Sequence, residues 1–158
     1  MQELIKNTYK TIKEYDKDIL FGISPEGNLE NNYNNHYLNI EKLLTGDRYL
    51  DYIMPQIYFG FDNSSKPFKK TIDEWNNLIK NDVDLIPALA FYKSGKIDKY
   101  AKDGINEWVD NTDIIKREVE YSRKINNYTG FSLFRYNSIF DGNNSSKEEL
   151  NNLEKILN

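Results

Sequence analysis

The sequence of 158 residues contains no cysteine and a single histidine. The absence of cysteine excludes disulfides, zinc–thiolate sites and thiol nucleophiles. One histidine, with no ligand pair at helical spacing, gives no support for a metal site. The sequence also lacks a Gly-rich phosphate-binding turn and a Walker lysine. We therefore predict no metal, nucleotide or other cofactor.

A basic charge excess and a long apolar run are missing as well. The formal net charge is −4 and the pI is near 5.1, so no basic field attracts nucleic acid or anionic lipid. No stretch of about 18 apolar residues occurs, and no membrane span is expected. The first residues follow an amphipathic helical pattern and not an export segment, which leaves the localisation open.

Hydrophobic residues make up 39% and aromatic residues 14% of the sequence, enough for a core. Helix-like and strand-like patterns alternate along the chain, and we predict a single domain over residues 1–158. The predicted strands are residues 19–23, 52–59, 83–92 and 131–136. The predicted helices are residues 6–15, residues 37–44, one opened by a capping box at Thr71 and Glu74, one capped by Thr112, and one from Ser145 or Ser146 to Leu157.

Apolar strands separated by helices indicate an α/β fold with a parallel sheet. An open doubly wound sheet and part of a TIM-type (β/α)8 barrel are the two alternatives. A closed barrel takes about 250 residues, so four strand–helix units form half of one. Alternate strand residues divide into a large apolar set, including Ile53, Ile57 and Leu89, and a set that ends in polar or tyrosine side chains, including Gln56 and Tyr58. These two unlike faces favour the half-barrel, because a doubly wound sheet is apolar on both.

Three of the predicted strands carry a proline late in their length, at Pro25, Pro55 and Pro87. Proline has no N–H to donate, so it belongs at a strand end or a bulge. The prolines either terminate strand pairing or shape the mouth of the barrel, where barrel enzymes place their sites.

Polar and aromatic side chains cluster at the predicted strand ends. Amides and carboxylates that bind hydroxyls, beside rings that stack on sugar faces, suit a carbohydrate. For each tyrosine the alternative is a packing role, and for Trp108 it is anchoring of its loop. The candidate substrate-binding residues are Asn28, Gln56, Tyr58, Tyr92, Lys93, Trp108 and Tyr136.

Hydrolysis of a glycosidic bond normally uses two carboxyl groups, one of them with a raised pKa. Glu26 is the candidate catalytic residue, since it stands at a strand C-terminus. The other acidic residues that follow strands lie further into loops, where a solvated surface carboxylate is the default: Asp62, Asp98 and Asp141. A serine nucleophile is excluded at Ser24, because Pro25 has no N–H for an oxyanion hole. The sequence therefore predicts one member of a catalytic pair.

Residues 21–28, 49–59 and 90–93 resemble the bacterial family 10 glycosylhydrolase group, also called glycosyl-hydrolase-like ten. Residues 117–121 and 130–132 resemble its last helix and strand. The resemblance implies barrel strands five to eight of a TIM-barrel glycosidase, in a group of typically exported envelope proteins that includes an enzyme acting on peptidoglycan glycan strands. The acidic segment of the family's fourth strand has no counterpart here, and Arg135 stands where serine is expected.

Two functions follow as hypotheses. The first is a glycoside-hydrolase-like domain that cleaves bacterial glycan by carboxylate acid/base chemistry, together with the missing N-terminal barrel half or through self-association. The second is a non-catalytic carbohydrate-binding module or truncated fragment. The resemblance favours an extracytoplasmic or cell-envelope location for either.

Overall fold

Parallel strands alternate with helices in the computed structural model, which describes residues 1–157. The α/β class predicted from the sequence is confirmed. The strands are β1 Gly22–Ile23, β2 Tyr52–Ile53, β3 Gln56–Ile57, β4 Asp84–Leu85, β5 Ala88–Leu89 and β6 Ser132–Leu133. The helices are α1 Gln2–Tyr15, α2 Leu29–His36, α3 Ile40–Thr45, α4 Phe68–Leu78, α5 Glu107–Asp110, α6 Ile114–Ser122, α7 Tyr136–Phe140 and α8 Asn144–Glu154, with 3-10 turns at Phe91–Lys93 and Lys102–Gly104.

The strands pair in parallel in the orders β1-β2-β4 and β3-β5-β6. Pro55 separates β2 from β3, and Pro87 separates β4 from β5. Each proline carbonyl nevertheless accepts a hydrogen bond from the neighbouring strand: Pro25 from Gln56 at 2.9 Å, Pro55 from Ala88 at 2.9 Å and Pro87 from Ser132 at 3.0 Å. The three prolines therefore occupy equivalent positions within the sheet. Each stands just after a short strand segment, where regular pairing is interrupted, as expected of a residue without an N–H, while its carbonyl still accepts a bond from the neighbouring strand.

The two strand faces differ in burial, as the alternation predicts. Ile53, Ile57, Leu85 and Leu89 are fully buried and face the helix layer. The prolines share this face, since they alternate with these residues and are also buried. The other face is more open, and its members at half-burial include Met54, Gln56, Tyr58 and Ser132. Ala88 and Ala90 depart from the pattern, as both are buried.

Side chains from the helices and turns that connect the strands form the rest of the core. Its fully buried members include Trp75 and Ile72 of α4, Ile114 and Val119 of α6, and Phe91. Helix α4 starts at Phe68, directly after Pro67, a residue that suits the first turn of a helix. The predicted capping box was therefore wrong: the Thr71 hydroxyl lies inside the helix and donates to the Pro67 carbonyl at 3.0 Å.

Three other segments differ from prediction. Residues 29–36 form α2, although no helix was predicted between residues 23 and 37, and residues 136–140 form α7 where a strand was expected to end. The first predicted strand is shorter, because Ile19 and Leu20 precede β1 and are 42% and 69% exposed. The N-cap of α6 is Asp113, one residue after the predicted Thr112, and that of α8 is Asn143, two or three residues before the predicted serines.

The strands of residues 1–157 do not close into a barrel. Residues 22–26 and residues 128–133 lie at the two outer positions of the paired strands. Among the helices described, none has the length and apolar character that crossing a bilayer requires.

Candidate functional site

A cleft of about 320 Å³ opens beside the C-terminal ends of β1 and β3. Four of the predicted site residues, Glu26, Asn28, Gln56 and Tyr58, line this cleft together. The remaining lining residues are Gly27, Asn31, Phe59 and Lys66. The structure thus brings a carboxylate, amides and aromatic rings to one concave surface, a composition that suits ligands rich in hydroxyl groups.

Helix α2 holds the Glu26 carboxylate from two directions. The Nε2 atom of His36 lies 3.1 Å from Oε1, and the Asn31 amide donates to Oε2 at 3.1 Å. The hydrogen bond from His36, followed by that from Asn31, lowers the pKa of Glu26 below its ordinary value despite a smaller opposing effect of burial. The side chain is 45% exposed. Glu26 is therefore ionised at neutral pH, which suits a base, a nucleophile or a hydrogen-bond acceptor and does not suit a proton donor.

The backbone of Glu26 is fixed by the same helix. Asn32, only 1% exposed, accepts the Glu26 N–H through Oδ1 at 3.2 Å. Its amide nitrogen donates to the Glu26 carbonyl at 2.6 Å and to the Asn28 carbonyl at 3.0 Å. The Asn28 side chain caps α2 by accepting the Glu30 N–H at 3.0 Å. The position of Glu26 in the cleft thus depends on a helix composed largely of asparagine.

Gly27 forms the floor of the cleft next to Gln56. Its N–H donates to the Gln56 carbonyl at 3.1 Å, and its own carbonyl accepts the buried Trp75 indole N–H at 2.8 Å. A Cβ atom at this position would stand 2.5 Å from the Gln56 carbonyl oxygen, so no side chain fits. The Gln56 amide donates to the Ser24 carbonyl at 3.1 Å, which fixes its orientation toward the cleft.

Three aromatic rings pack together on the open face of the sheet. The ring of Tyr58 lies 5.8 Å from that of Tyr92, edge-on, and 5.5 Å from that of Phe134 in a stacked arrangement. Tyr92 and Phe134 also meet edge-on, at 5.8 Å. Burial raises the pKa of both tyrosines, so their hydroxyls stay protonated and remain donors. Phe134, 46% exposed, extends this aromatic surface and was not among the predicted site residues.

Lys93 binds the backbone of Tyr58. Its ammonium group donates to the Tyr58 carbonyl at 2.7 Å and pairs with the Asp98 carboxylate at 2.5 Å. The two side chains are only 14% and 3% exposed, so this is a buried ion pair. The structure therefore places Lys93 behind the aromatic surface, with its charge already compensated by Asp98.

Comparison with known proteins gives this arrangement a family. The profile described as "Glycosyl hydrolase-like 10" matches residues 1–109. The chain belongs to the glycosyl hydrolase-like 10 family. The resemblance in the motifs at residues 21–28 and 49–59 is thereby confirmed.

Similar curated proteins carry the name "Glycosyl hydrolase DigH". Those of Escherichia coli K12 and Shigella flexneri are each 27% identical to this chain over 151 residues. The alignment covers 85% of this chain and 33% of each relative. The chain therefore spans about a third of the length of the curated relatives it matches.

Four predicted site residues do not line the cleft: Tyr92 and Lys93, described above, and Trp108 and Tyr136. Trp108 is fully buried in the core, the position expected of a loop anchor. Tyr136 lies in α7, is 70% exposed and packs its ring 4.5 Å from that of Phe140. Of the more distant acidic residues, Asp98 is buried with Lys93, while Asp62 and Asp141 do not line the cleft.

Sequence reasoning missed the α2 residues that hold Glu26. His36, Asn31 and Asn32 lie outside every predicted helix, and asparagine has a low helix propensity. The spacing of Asn28, Asn32 and His36 is the available signal, since residues four apart lie on one face of a helix. That spacing becomes informative only when Asn28 is recognised as a cap.

Buried glutamates elsewhere were also missed. Glu118 and Glu149 are completely buried, and Glu107 is held by the N–H groups of Phe61 and Asp62 at 2.8 and 3.0 Å. Burial raises the pKa of Glu149 to about 7 and that of Glu118 well above its ordinary value. None of the three lines the cleft, and residues 1–157 contain no cluster of acidic or histidine side chains suited to a metal ion.

Proposed function

We propose that this chain is half of a (β/α)8 barrel that binds a bacterial glycan and hydrolyses its O-glycosidic bonds, with peptidoglycan strands as the candidate polymer. The observation that carries the proposal is the cleft at the C-terminal strand ends, where Glu26 stands beside Gln56 and Tyr58. Active sites of (β/α)8 barrels lie at this end of the strands. The membership of the glycosyl hydrolase-like 10 family supports the reaction class.

Within this proposal, Glu26 acts as the ionised carboxylate. A glycosidase needs a second carboxyl group with a raised pKa to protonate the leaving group. The cleft of residues 1–157 contains Glu26 as its single acidic lining residue, so we place the proton donor on the missing barrel half. Asn28, Gln56, Tyr58 and Tyr92 bind sugar hydroxyls and ring faces, and Lys93 holds Tyr58 in place.

The missing half would cover the outer strands. Exposed apolar side chains stand next to both of them: Leu20 before β1, and Phe134 and Phe140 after β6, at 69%, 46% and 65% exposure. Unpaired strand edges and apolar surface favour association. Since the chain spans a third of its curated relatives, we propose that the partner is the remaining barrel half, with a second copy of the chain as the substitute.

Light scattering and glycan hydrolysis test the proposal. We expect the chain to form a dimer or larger species, and a stable monomer at roughly tens of micromolar contradicts association. In the barrel completed by co-expression with a first half, Glu26→Gln should lower the hydrolysis rate by about a hundredfold or more. Glu30→Gln is the matched control, since Glu30 is exposed on the same helix and does not line the cleft. Hydrolysis that survives Glu26→Gln excludes a catalytic role for Glu26.

A non-catalytic binding module is the second candidate. The observation in its favour is the single carboxylate of the cleft, whose lowered pKa unsuits it for proton donation. On this alternative the completed barrel binds oligosaccharide and cleaves none. Either function is consistent with a cell-envelope location, where a bacterial wall glycan is found.

A further inference from the structure

A second groove lies between the first turn of α1, the end of α2 and the start of α3. Its volume is about 480 Å³, and its lining residues are Gln2, Tyr33, Asn34, Tyr37, Asn39 and Lys42. Two tyrosines and three amides thus account for five of the six lining residues. This is the chemistry of sugar recognition, in which rings stack on pyranose faces and amides bind hydroxyls.

The tyrosines of the groove are unusually accessible. Tyr33 is 62% exposed and Tyr37 is 80% exposed. Within the described part of the chain, the side chains of Tyr33, Asn34 and Tyr37 make no hydrogen bond, ion pair or ring contact. Their polar groups are therefore available to a ligand. Asn39 keeps its amide N–H groups for the same purpose, because only its Oδ1 is used, to cap α3 at 2.9 Å.

The backbone of Tyr37 gives a second, independent observation. Tyr37 ends α2 in the left-handed region, with φ 54° and ψ 33°. Glycine or asparagine normally occupies this position, because a Cβ atom is disfavoured there. Within the described residues its side chain is 80% exposed and makes no hydrogen bond or ring contact, so a disfavoured backbone position presents an accessible ring.

We propose that this groove is a second carbohydrate-binding site, which takes a neutral oligosaccharide of pyranose units by stacking on Tyr33 and Tyr37. Five of its six lining residues are uncharged, and these amides and phenol rings are the groups that would contact a neutral sugar. Helix α2 provides Asn31 to the Glu26 cleft and Tyr33 to this groove. One glycan chain held at the groove is thereby kept near the cleft, which raises its effective concentration there. The site goes beyond the proposed hydrolysis and requires no catalysis.

Nuclear magnetic resonance titration of the ¹⁵N-labelled chain with cellohexaose and with the hexamer of N-acetylglucosamine tests the site. We expect shifts at the backbone amides of residues 33–42. Tyr33→Ala combined with Tyr37→Gly should weaken this binding by about tenfold or more, the loss expected from removing stacked rings. Tyr37→Gly alone should keep or raise the thermal unfolding midpoint, because glycine relieves the left-handed backbone. A loss of affinity is then not a loss of folding.

Lys102→Gly is the matched control. Lys102 has the same left-handed backbone, with φ 54°, and does not line the groove, so its substitution should leave oligosaccharide binding unchanged. Shifts at residues 33–42 that persist in the double tyrosine variant overturn the site, as does binding confined to the residues of the Glu26 cleft. Shifts in the groove with none in the cleft support the site, and the proposed hydrolysis is tested separately on the barrel completed with its first half.

Discussion

The imidazole Nε2 of His36 lies 3.1 Å from Oε1 of Glu26, across a separation of ten residues in sequence. The contact joins the last residue of α2 to the residue that follows Pro25. It is the largest contribution to the lowered pKa of Glu26. The lowered pKa of the candidate catalytic carboxylate therefore depends on a residue outside the strands.

Replacing His36 with phenylalanine should raise the pKa of Glu26, because the carboxylate loses its strongest hydrogen-bond donor. His36→Gln should raise it less, since glutamine still donates a hydrogen bond. Titration of the Glu26 carboxyl ¹³C resonance measures both. A Glu26 pKa unchanged in His36→Phe contradicts the arrangement.

The same contact sets the direction of a pH effect on stability. The folded-state pKa of Glu26 lies below the ordinary value of 4.5, so its stabilising contribution is present above that value. The contribution is lost as the pH falls through the folded-state pKa. The wild-type advantage in free energy of unfolding over His36→Phe should therefore shrink on acidification, and it should be small, because the side chain is 45% exposed and solvent screens the pair.

Gly27→Ala should destabilise the fold by about 2 kcal/mol or more, since an added methyl group meets the Gln56 carbonyl and backbone atoms yield little. The distance available to a Cβ atom is 2.5 Å. Urea unfolding measures the change. Gly130→Ala is the control, because nothing lies within 4 Å of its Cβ position. Equal stability of the two variants contradicts the close approach of Gly27 to β3.

Lys93→Met should destabilise the protein by about 3 kcal/mol or more, because it leaves the Asp98 carboxylate buried without its partner. The double variant Lys93→Met with Asp98→Asn should recover part of this loss, since no uncompensated charge remains. Chemical denaturation of the two single variants and the double variant gives the coupling. Additive effects contradict the 2.5 Å ion pair.

The buried Glu149 predicts a fall in stability with rising pH. Its pKa is raised from 4.5 to about 7, so the folded state holds a proton that the unfolded state has released between these values. The free energy of unfolding then decreases over this range, by about 3 kcal/mol at most for this group. Glu149→Gln should flatten the slope, whereas Glu148→Gln, on the exposed neighbour, should not. A slope unchanged in Glu149→Gln contradicts burial of a titrating carboxyl.

The burial of strand residues was easier to predict from the sequence than the length of the strands or the burial of polar helix residues. The apolar positions of the strands, such as Ile53 and Leu89, alternate with a period of two, and burial follows that period directly. The length of each strand was not predictable. Regular strand pairing stops before Pro55 and Pro87 and starts again after them, and the proline carbonyls still accept hydrogen bonds from the neighbouring strand. The burial of Glu118 was not predicted, although Glu118 lies on the buried face of α6. The spacing of apolar residues identifies that face, but it does not show that a polar residue on the face is buried as well.

Several residues that line the candidate site were predicted, but the residues that hold Glu26 in position were not. Glu26 and Tyr58 follow β1 and β3, and Gln56 begins β3. The C-terminal ends of parallel strands meet at one edge, so sequence order alone indicates that these residues converge. His36 and Asn32 contact Glu26 only because α2 forms. An asparagine-rich segment does not predict a helix, because asparagine has a low helix propensity.

By itself, the sequence determined the α/β class, the two unlike strand faces, the family and the edge at which the candidate residues Glu26, Gln56 and Tyr58 lie. These depend on the periodicity of apolar residues and on local motifs, which are properties of neighbouring positions. Tertiary structure alone decided that Trp108 is buried and Lys93 is paired, that His36 bonds to Glu26, and that Tyr33 and Tyr37 share a groove. These depend on distances between segments, which packing sets and residue order does not.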